Sequence, residues 1–140
     1  MNQHQVPKPE KRNSLRNFFG KEYFILKRRI DWFLNRRHFA SVDKGFSLPF
    51  ILIKHQSFVL RPLKNVDMHL QHNKATNLKL AIKHIDKVII KPGQIFSIWK
   101  LVGRPTKTKG YLDGLTLNNG EISKGIGGGL CQLGNLLYWM

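Results

Sequence analysis

The sequence has 140 residues, of which 24 are Lys or Arg and 8 are Asp or Glu, so its net charge at pH 7 is +16. This length predicts one domain at most, and the charge predicts attraction to polyanions such as anionic lipid, wall polymers or nucleic acid. The single cysteine excludes an intramolecular disulfide, and no run of about eighteen apolar residues is present to span a membrane.

The N-terminal third predicts an arm followed by a helix. Residues 1–13 are polar and basic, which predicts a disordered arm. These residues lack the apolar segment that a secretory signal contains. Taken as written, this start predicts a cytoplasmic protein or one peripheral to the inner face of the membrane. Residues 14–37 have apolar side chains at spacings of three and four, which predicts a basic amphipathic helix: Phe19, Tyr23, Leu26, Ile30 and Phe33.

Two interpretations of this helix stay open. Its aromatic face and Arg side chains suit the surface of an anionic bilayer, and they equally suit a helix that packs on the domain with a solvated basic face. No recognised nucleic-acid-binding module accompanies the charge, so nucleic acid is not an expected partner.

The central part of the chain predicts short strands and one helix. Residues 48–52 and 57–60 are apolar runs of strand length, and residues 65–73 predict a loop. Residues 74–87 predict the clearest helix, with Lys74 or Ala75 as its first residue. Its apolar face comprises Leu78, Ala81, Ile82 and Ile85.

The remaining segments predict a linker and further strands. Residues 41–47 predict a linker, and residues 88–90 and 94–99 predict a hairpin joined through a Pro-Gly turn. Residues 111–117 predict another strand, turned at residues 118–120, and residues 121–124 lead into the glycine run.

No metal or cofactor is expected. His69 and His72 have a spacing that suits a helix-borne metal site, but no third ligand lies nearby in the sequence. The sequence contains no nucleotide, haem or dinucleotide motif.

A glycine run precedes the only cysteine. Gly127, Gly128 and Gly129 can bring successive N–H groups to face one point, and a helix is predicted from about Leu130. Cys131 would then lie in the first turn, where unpaired N–H groups and the helix dipole favour a thiolate. A nucleophile beside an oxyanion hole is the minimal apparatus for acyl transfer. The alternative is a small buried hydrophobic cysteine behind an ordinary turn.

Three spaced blocks together resemble the VanW family: a PG-FS block at residues 91–99, a GY block at residues 110–115 and a GGG-CQ block at residues 127–132. The similarity begins near Leu48 and includes residues 77–81. The resemblance implies a domain over residues 48–140, a link to the cell envelope, and L,D-transpeptidase-like cross-linking of peptidoglycan through the cysteine.

The chain departs from the family pattern in two ways. Many members of the family have Ser at the position of Gly134. The family pattern also continues with an Arg-His-rich segment, so the domain is expected to be incomplete at its C-terminus. The general base for the cysteine is expected beyond Met140; His84, the last histidine before the cysteine, is the weaker candidate.

The basic loop at residues 100–110 supplies candidate ligands for a substrate. Arg104 and Lys109 could bind a stem-peptide carboxylate, because Arg forms paired hydrogen bonds with such groups. Tyr111 and Gln132, which belong to the resembling motifs, complete the predicted substrate-binding set.

Together these patterns predict an α+β fold: a small, mostly antiparallel sheet with packed helices, preceded by the basic amphipathic helix. Two functions are hypothesised. One is cysteine-dependent acyl transfer on peptidoglycan stem peptides. The other is a non-catalytic accessory role, in glycopeptide resistance or cell-wall metabolism, that binds anionic wall precursors or a membrane surface.

Overall fold

The computed structural model describes residues 13–43, 48–61, 67–118 and 121–140. The predicted disordered arm, apart from residue 13, lies outside these ranges. The chain divides into two compact units, one ending at Arg36 and one beginning at Arg37. Helices and short antiparallel strand pairs make up the described part, which confirms the α+β prediction. The elements are α1 (Ser14–Leu34), β1 (Ser41–Val42), α2 (Met68–Ile85), β2 (Val88–Ile89), α3 (Ile98–Val102), β3 (Asp113–Asn118), β4 (Glu121–Ile126) and α4 (Leu130–Tyr138).

Helix α1 forms most of the first unit and begins at Ser14, as predicted. It ends at Leu34, after which Arg36–His38 form a 3₁₀ turn rather than the last turn of the α-helix. The side chain of Asn35 donates a hydrogen bond of 2.9 Å to Asp31 Oδ1 at this end. None of the residues of α1 is buried.

Helix α2 begins at Met68, six residues before the predicted start at Lys74. Asp67 caps it, because its carboxylate accepts a 2.8 Å hydrogen bond from the backbone N–H of His69. The loop predicted over residues 65–73 is therefore wrong from Met68 onward, and residues 65–66 lie outside the described ranges. The early start adds Gln71 to the buried face of the helix, which also includes Lys74.

The core of the second unit lies where α2 meets α3, β3 and α4. Leu78 and Ala81 of α2 pack with side chains from the other elements, namely Val102, Tyr111, Leu130 and Leu133. Each fully buried Leu side chain contributes about 2 kcal/mol through removal of apolar surface from water. This cluster fixes the start of α4 against the middle of α2.

Strands β3 and β4 form an antiparallel hairpin, with Asp113 opposite Ile126 and Thr116 opposite Ser123. Strand β3 lies in the segment where residues 111–117 predict a strand. The hydroxyl groups of Thr116 and Ser123 lie 2.8 Å apart across it. Residues 119–120 of the predicted turn lie outside the described part. The hairpin carries the chain directly into the glycine run.

The hairpin predicted over residues 88–90 and 94–99 is wrong. The turn at Pro92-Gly93 is present, with a 3.0 Å hydrogen bond from Gln94 N to Lys91 O. However, β2 pairs with β1, which lies in the segment predicted as a linker. Ile95 instead forms a parallel bridge with Phe39, and Ile98–Val102 is helical.

Residues 48–61 form neither of the two predicted strands and have no regular secondary structure. Side-chain contacts rather than a strand ladder attach them to the unit, and Val59 packs against the core. Gln132 Nε2 donates to Ser57 Oγ at 3.0 Å and to Phe58 O at 2.8 Å. In the described ranges, no helix combines the length and the apolar content that a membrane span requires.

Candidate active site around Cys131

Cys131 is the second residue of α4, and its thiol is unbridged and exposed. Gly129 is the N-cap, with φ +92° and ψ −9°, a left-handed conformation that favours glycine. The first hydrogen bond at this end runs from Gln132 N to Gly129 O at 3.0 Å. The structure therefore has the cysteine in the first turn of a helix, as the sequence predicts, with N–H groups that lack intrahelical acceptors.

The three glycines before the helix form a buried turn. The N–H of Gly127 donates to Leu112 O at 2.9 Å, and that of Gly128 donates to Gly125 O at 3.1 Å. These two amides hold the turn in place. A hydrogen bond from either of them to an oxyanion stays a prediction, and it would require that amide to leave its present carbonyl acceptor. The amides of Gly129 and Cys131 are the better placed candidates.

Asn77 of α2 forms hydrogen bonds that hold this turn against the helix. Its side chain is completely buried. Nδ2 donates to Gly128 O at 3.0 Å and to Leu112 O at 2.9 Å, while Oδ1 accepts from Leu112 N at 2.8 Å. One amide therefore bonds to three backbone groups from two segments distant in the sequence. The sequence places Asn77 in a resembling motif without indicating its role; a polar residue on the apolar face of a helix is the available signal.

Gly128 and Gly114 bring the turn and the start of β3 into backbone contact. A Cβ at Gly114 would lie 2.7 Å from Gly128 O, and a Cβ at Gly128 would overlap the backbone of Gly114. No residue larger than glycine fits at this crossing without displacing main chain. This backbone contact fixes the position of the turn from which α4 begins.

Lys74 of α2 lies against the same turn. A Cβ built on Gly129 would lie 2.6 Å from Lys74 Cδ, so the aliphatic stem of the lysine crosses the glycine that caps α4. Burial lowers the pKa of Lys74 from its ordinary value, the charge of Arg61 lowers it further, and the negative charge of a Cys131 thiolate acts in the opposite direction. The sequence indicates Lys74 only as the start of a helix, and its contact with the glycine turn is not visible there.

The predicted basic ligands lie on a neighbouring loop. Pro105 packs against Gly127, which brings the loop over residues 103–110 to the turn. Lys109 Nζ donates to Arg104 O at 3.2 Å, and both side chains belong to exposed residues. Their binding of a substrate carboxylate stays a prediction.

Tyr111 and Gln132 have internal positions. Tyr111 is 1% exposed and belongs to the core, and burial raises the pKa of its phenol. Its hydroxyl has no hydrogen-bond partner within the described ranges. The amide nitrogen of Gln132 is bound to Ser57 and Phe58. Direct contact of either residue with a substrate stays a prediction.

Next to Gln132 lies an apolar groove of about 340 Å³ between residues 57–60, α2 and α4. Leu78, Ile82, Leu133 and Leu136 supply apolar lining, and Ser57 and Lys79 add polar groups. Gln132 and Leu133, which follow Cys131 in α4, belong to this lining, and Cys131 does not.

The histidines within the described ranges do not assemble a metal site. His69 and His72 lie on α2, and no group of three potential metal-ligating residues occurs in the part of the chain that the structure describes. His84 is an exposed residue in the last turn of the same helix.

Comparison with known proteins gives the family. Residues 73–140 match the family model described as VanW like protein. The vancomycin B-type resistance protein VanW of Enterococcus faecalis (strain ATCC 700802 / V583) is 43% identical over 94 residues, which are 67% of this chain and 34% of that protein. The uncharacterized protein YoaR of Bacillus subtilis (strain 168) is 36% identical over 66 residues, 47% of this chain and 22% of that protein.

The chain thus spans about a third of the length of the first relative, and no solved structure matches it. The residues that match the family model include Asn77, the glycine turn and Cys131, so the site described above lies within the shared region. On the family match and the 43% identity, the chain belongs to the VanW family.

Proposed function

We propose that this protein transfers acyl groups of peptidoglycan stem peptides through Cys131. The observation that carries the proposal is the exposed thiol in the first turn of α4, directly after a buried glycine turn. Backbone N–H groups at such a position point toward the space beside the sulfur, where an oxyanion would form. Membership of the VanW family supports a role at the cell envelope, because one relative is named for vancomycin resistance.

The reaction has two steps. Cys131 Sγ attacks a peptide carbonyl on the carboxyl side of a diamino-acid residue, an S–C bond forms, and the C–N bond of the amide breaks. The proton of the thiol ends on the departing amine. An acceptor amine from a second stem peptide then attacks the thioester, which forms a new amide and restores the thiol. Water in place of that amine gives hydrolysis instead of cross-linking.

The test is to detect the thioester by intact-protein mass spectrometry after incubating the chain with a stem tetrapeptide. We expect a mass increase equal to the acyl fragment in the unmodified protein, its absence in Cys131→Ala, and its loss when hydroxylamine is added. The matched control is Ser123→Ala, which removes a hydroxyl group from the β3–β4 hairpin and leaves the thiol in place. Absence of any adduct from a folded protein whose thiol reacts with iodoacetamide would rule out acyl transfer from this donor.

The second candidate function is membrane-surface binding by an accessory protein, and α1 favours it. Its large apolar side chains are exposed within its own unit, among them Phe19, Ile30 and Phe33. The helix also carries five Lys or Arg residues against two acidic ones. Apolar side chains combined with excess positive charge suit the headgroup region of an anionic bilayer.

Sedimentation with vesicles tests this second function. We expect binding to phosphatidylglycerol vesicles, at least about tenfold weaker binding to phosphatidylcholine vesicles, and loss of binding in Phe19→Ser/Phe33→Ser. Phe50→Ser is the control, since Phe50 is also highly exposed but lies outside α1. Equal binding to both vesicle types, or binding unchanged in the double variant, would contradict a role for α1.

A further inference from the structure

We propose that the apolar groove between α2 and α4 binds the hydrocarbon chain of a lipid whose phosphate headgroup contacts the cations beside the groove. The inference goes beyond the proposed function, because it uses neither the thiol of Cys131 nor the helix α1. The groove has a volume of about 340 Å³, within the range of about 300–1,000 Å³ that is usual for small-ligand sites.

Three segments of the chain form the walls of the groove. Helix α2 contributes four residues at spacings of three and four, which form one stripe along the helix: Ala75, Leu78, Lys79 and Ile82. Helix α4 contributes three residues from its first two turns: Gln132, Leu133 and Leu136. Residues 57–60 form the third wall, which the hydrogen bonds from Gln132 to Ser57 and Phe58 hold in place.

The lining favours an occupant without polar groups along its length. Nearly all of the surface that faces the groove is apolar. The amide nitrogen of Gln132 already donates to Ser57 Oγ and Phe58 O, so an occupant gains no donor from it. An extended peptide would bring backbone N–H and C=O groups, and burying such groups without partners is unfavourable. A hydrocarbon chain has no groups of this kind.

The charges around the groove favour an anionic headgroup. Lys79 is an exposed residue of the lining, Lys83 follows it one turn later on α2, and Arg61 directly follows the third wall. The sequences of the three walls contain no Asp or Glu. The nearest acids along the chain are Asp67 and Asp86, which flank α2. A phosphate at the edge of the groove would therefore complement the local charge.

A second copy of this chain fits the groove less well than a lipid does. Each copy has a net charge of +16, so repulsion between like charges opposes the approach of two copies. A lipid phosphate instead reduces the excess of positive charge where it binds.

The test measures binding of decyl phosphate to the full 140-residue chain by isothermal titration calorimetry, below the micelle concentration of the probe and at physiological ionic strength. We expect Ile82→Ser to weaken binding about tenfold, because apolar contact with the hydrocarbon chain is lost. Lys79→Glu should weaken binding at least about fivefold, because it reverses the charge beside the phosphate. Lys79 is exposed, so this variant tests the site even if Ile82→Ser lowers stability.

Two further probes separate the chain from the headgroup. Butyl phosphate has the same headgroup with a short chain, and decyltrimethylammonium has the same chain with a cationic headgroup. We expect each of them to bind at least about tenfold more weakly than decyl phosphate. Binding of decyltrimethylammonium as tight as that of decyl phosphate would overturn the role of the cations.

The matched control variants lie on β4, outside the groove. Ile122→Ser and Lys124→Glu make the same chemical changes at exposed positions, and we expect each to leave the affinity for decyl phosphate within about twofold. Phe19→Ser/Phe33→Ser should also leave it unchanged, which separates the groove from binding through α1.

Each alternative gives a different result. Equal losses of affinity in Lys79→Glu and Lys124→Glu would show that net charge rather than the groove attracts the probe, and would overturn the proposal. Unchanged binding in Ile82→Ser, or loss of binding in the α1 variant, would also overturn it. Sedimentation velocity tests for a second copy: a dimer that Ile82→Ser converts to a monomer would identify that copy as the occupant instead of a lipid.

Discussion

Asn77→Ala is expected to destabilise the protein by about 3–4 kcal/mol, enough to leave a domain of ordinary stability close to unfolding. The substitution removes a fully buried amide, leaves Leu112 N–H and Gly128 C=O without this partner, and takes one of two donors from Leu112 O. Each buried group left unsatisfied costs about 1–3 kcal/mol, partly relieved by local relaxation. Urea denaturation followed by circular dichroism measures the change.

Asn73→Ala is the matched control for this substitution. Asn73 is an asparagine on the same helix, and from a half-buried position its Nδ2 donates a hydrogen bond of 2.9 Å to Asp113 O and lies 3.4 Å from His69 Nδ1. We expect a loss of about 1 kcal/mol or less. Similar losses of unfolding free energy in the two variants would show that the three hydrogen bonds of Asn77 stabilise the protein no more than the contacts of Asn73 do.

Gly128→Ala is expected to cost about 3 kcal/mol and to slow every reaction of Cys131. The added Cβ would overlap the backbone of Gly114, and main chain cannot rotate away as a flexible side chain can. The turn must therefore move, and the start of α4 moves with it. Urea denaturation gives the loss of stability, and iodoacetamide labelling of the folded variant gives the effect on the thiol.

Gly134→Ala is the matched control, because it makes the same chemical change inside α4, where nothing lies within 4 Å of the new Cβ. We expect it to stabilise the protein by about 0.5–1 kcal/mol, since alanine is the better helix former. A loss from Gly134→Ala as large as that from Gly128→Ala would show that the backbone crossing is not the cause.

The fold could be predicted where local chemistry decides it. Helix α1, strand β3 and the start of α4 follow from apolar spacing and turn residues, and the structure confirms them. The strands predicted within residues 48–60 failed for a physical reason. An apolar run becomes a strand only if a neighbouring strand accepts its backbone hydrogen bonds, and here the backbone of Phe58 bonds to the side chain of Gln132 instead.

Only part of the candidate site could be predicted from the sequence. The cysteine and its glycines are contiguous, so their local geometry could be predicted. Asn77 and Lys74 reach the turn through tertiary packing, across more than fifty residues of sequence, and no local pattern shows which turn of α2 will face them. A polar side chain on an otherwise apolar helical face is the one available hint.

The hydrogen bonds of Asn77 join positions 35 and 51 residues apart in the chain. No short stretch of the protein can therefore assemble the cysteine site by itself, because closing such long loops requires most of the second unit to be in place. A fragment that starts after Asn77 would keep the nucleophile and its glycines, yet it would lose the hydrogen bonds of Asn77 that hold them in position. The chemistry of Cys131 is thus tied to cooperative folding, and its reactivity can serve as a sensor of whether the whole unit is native.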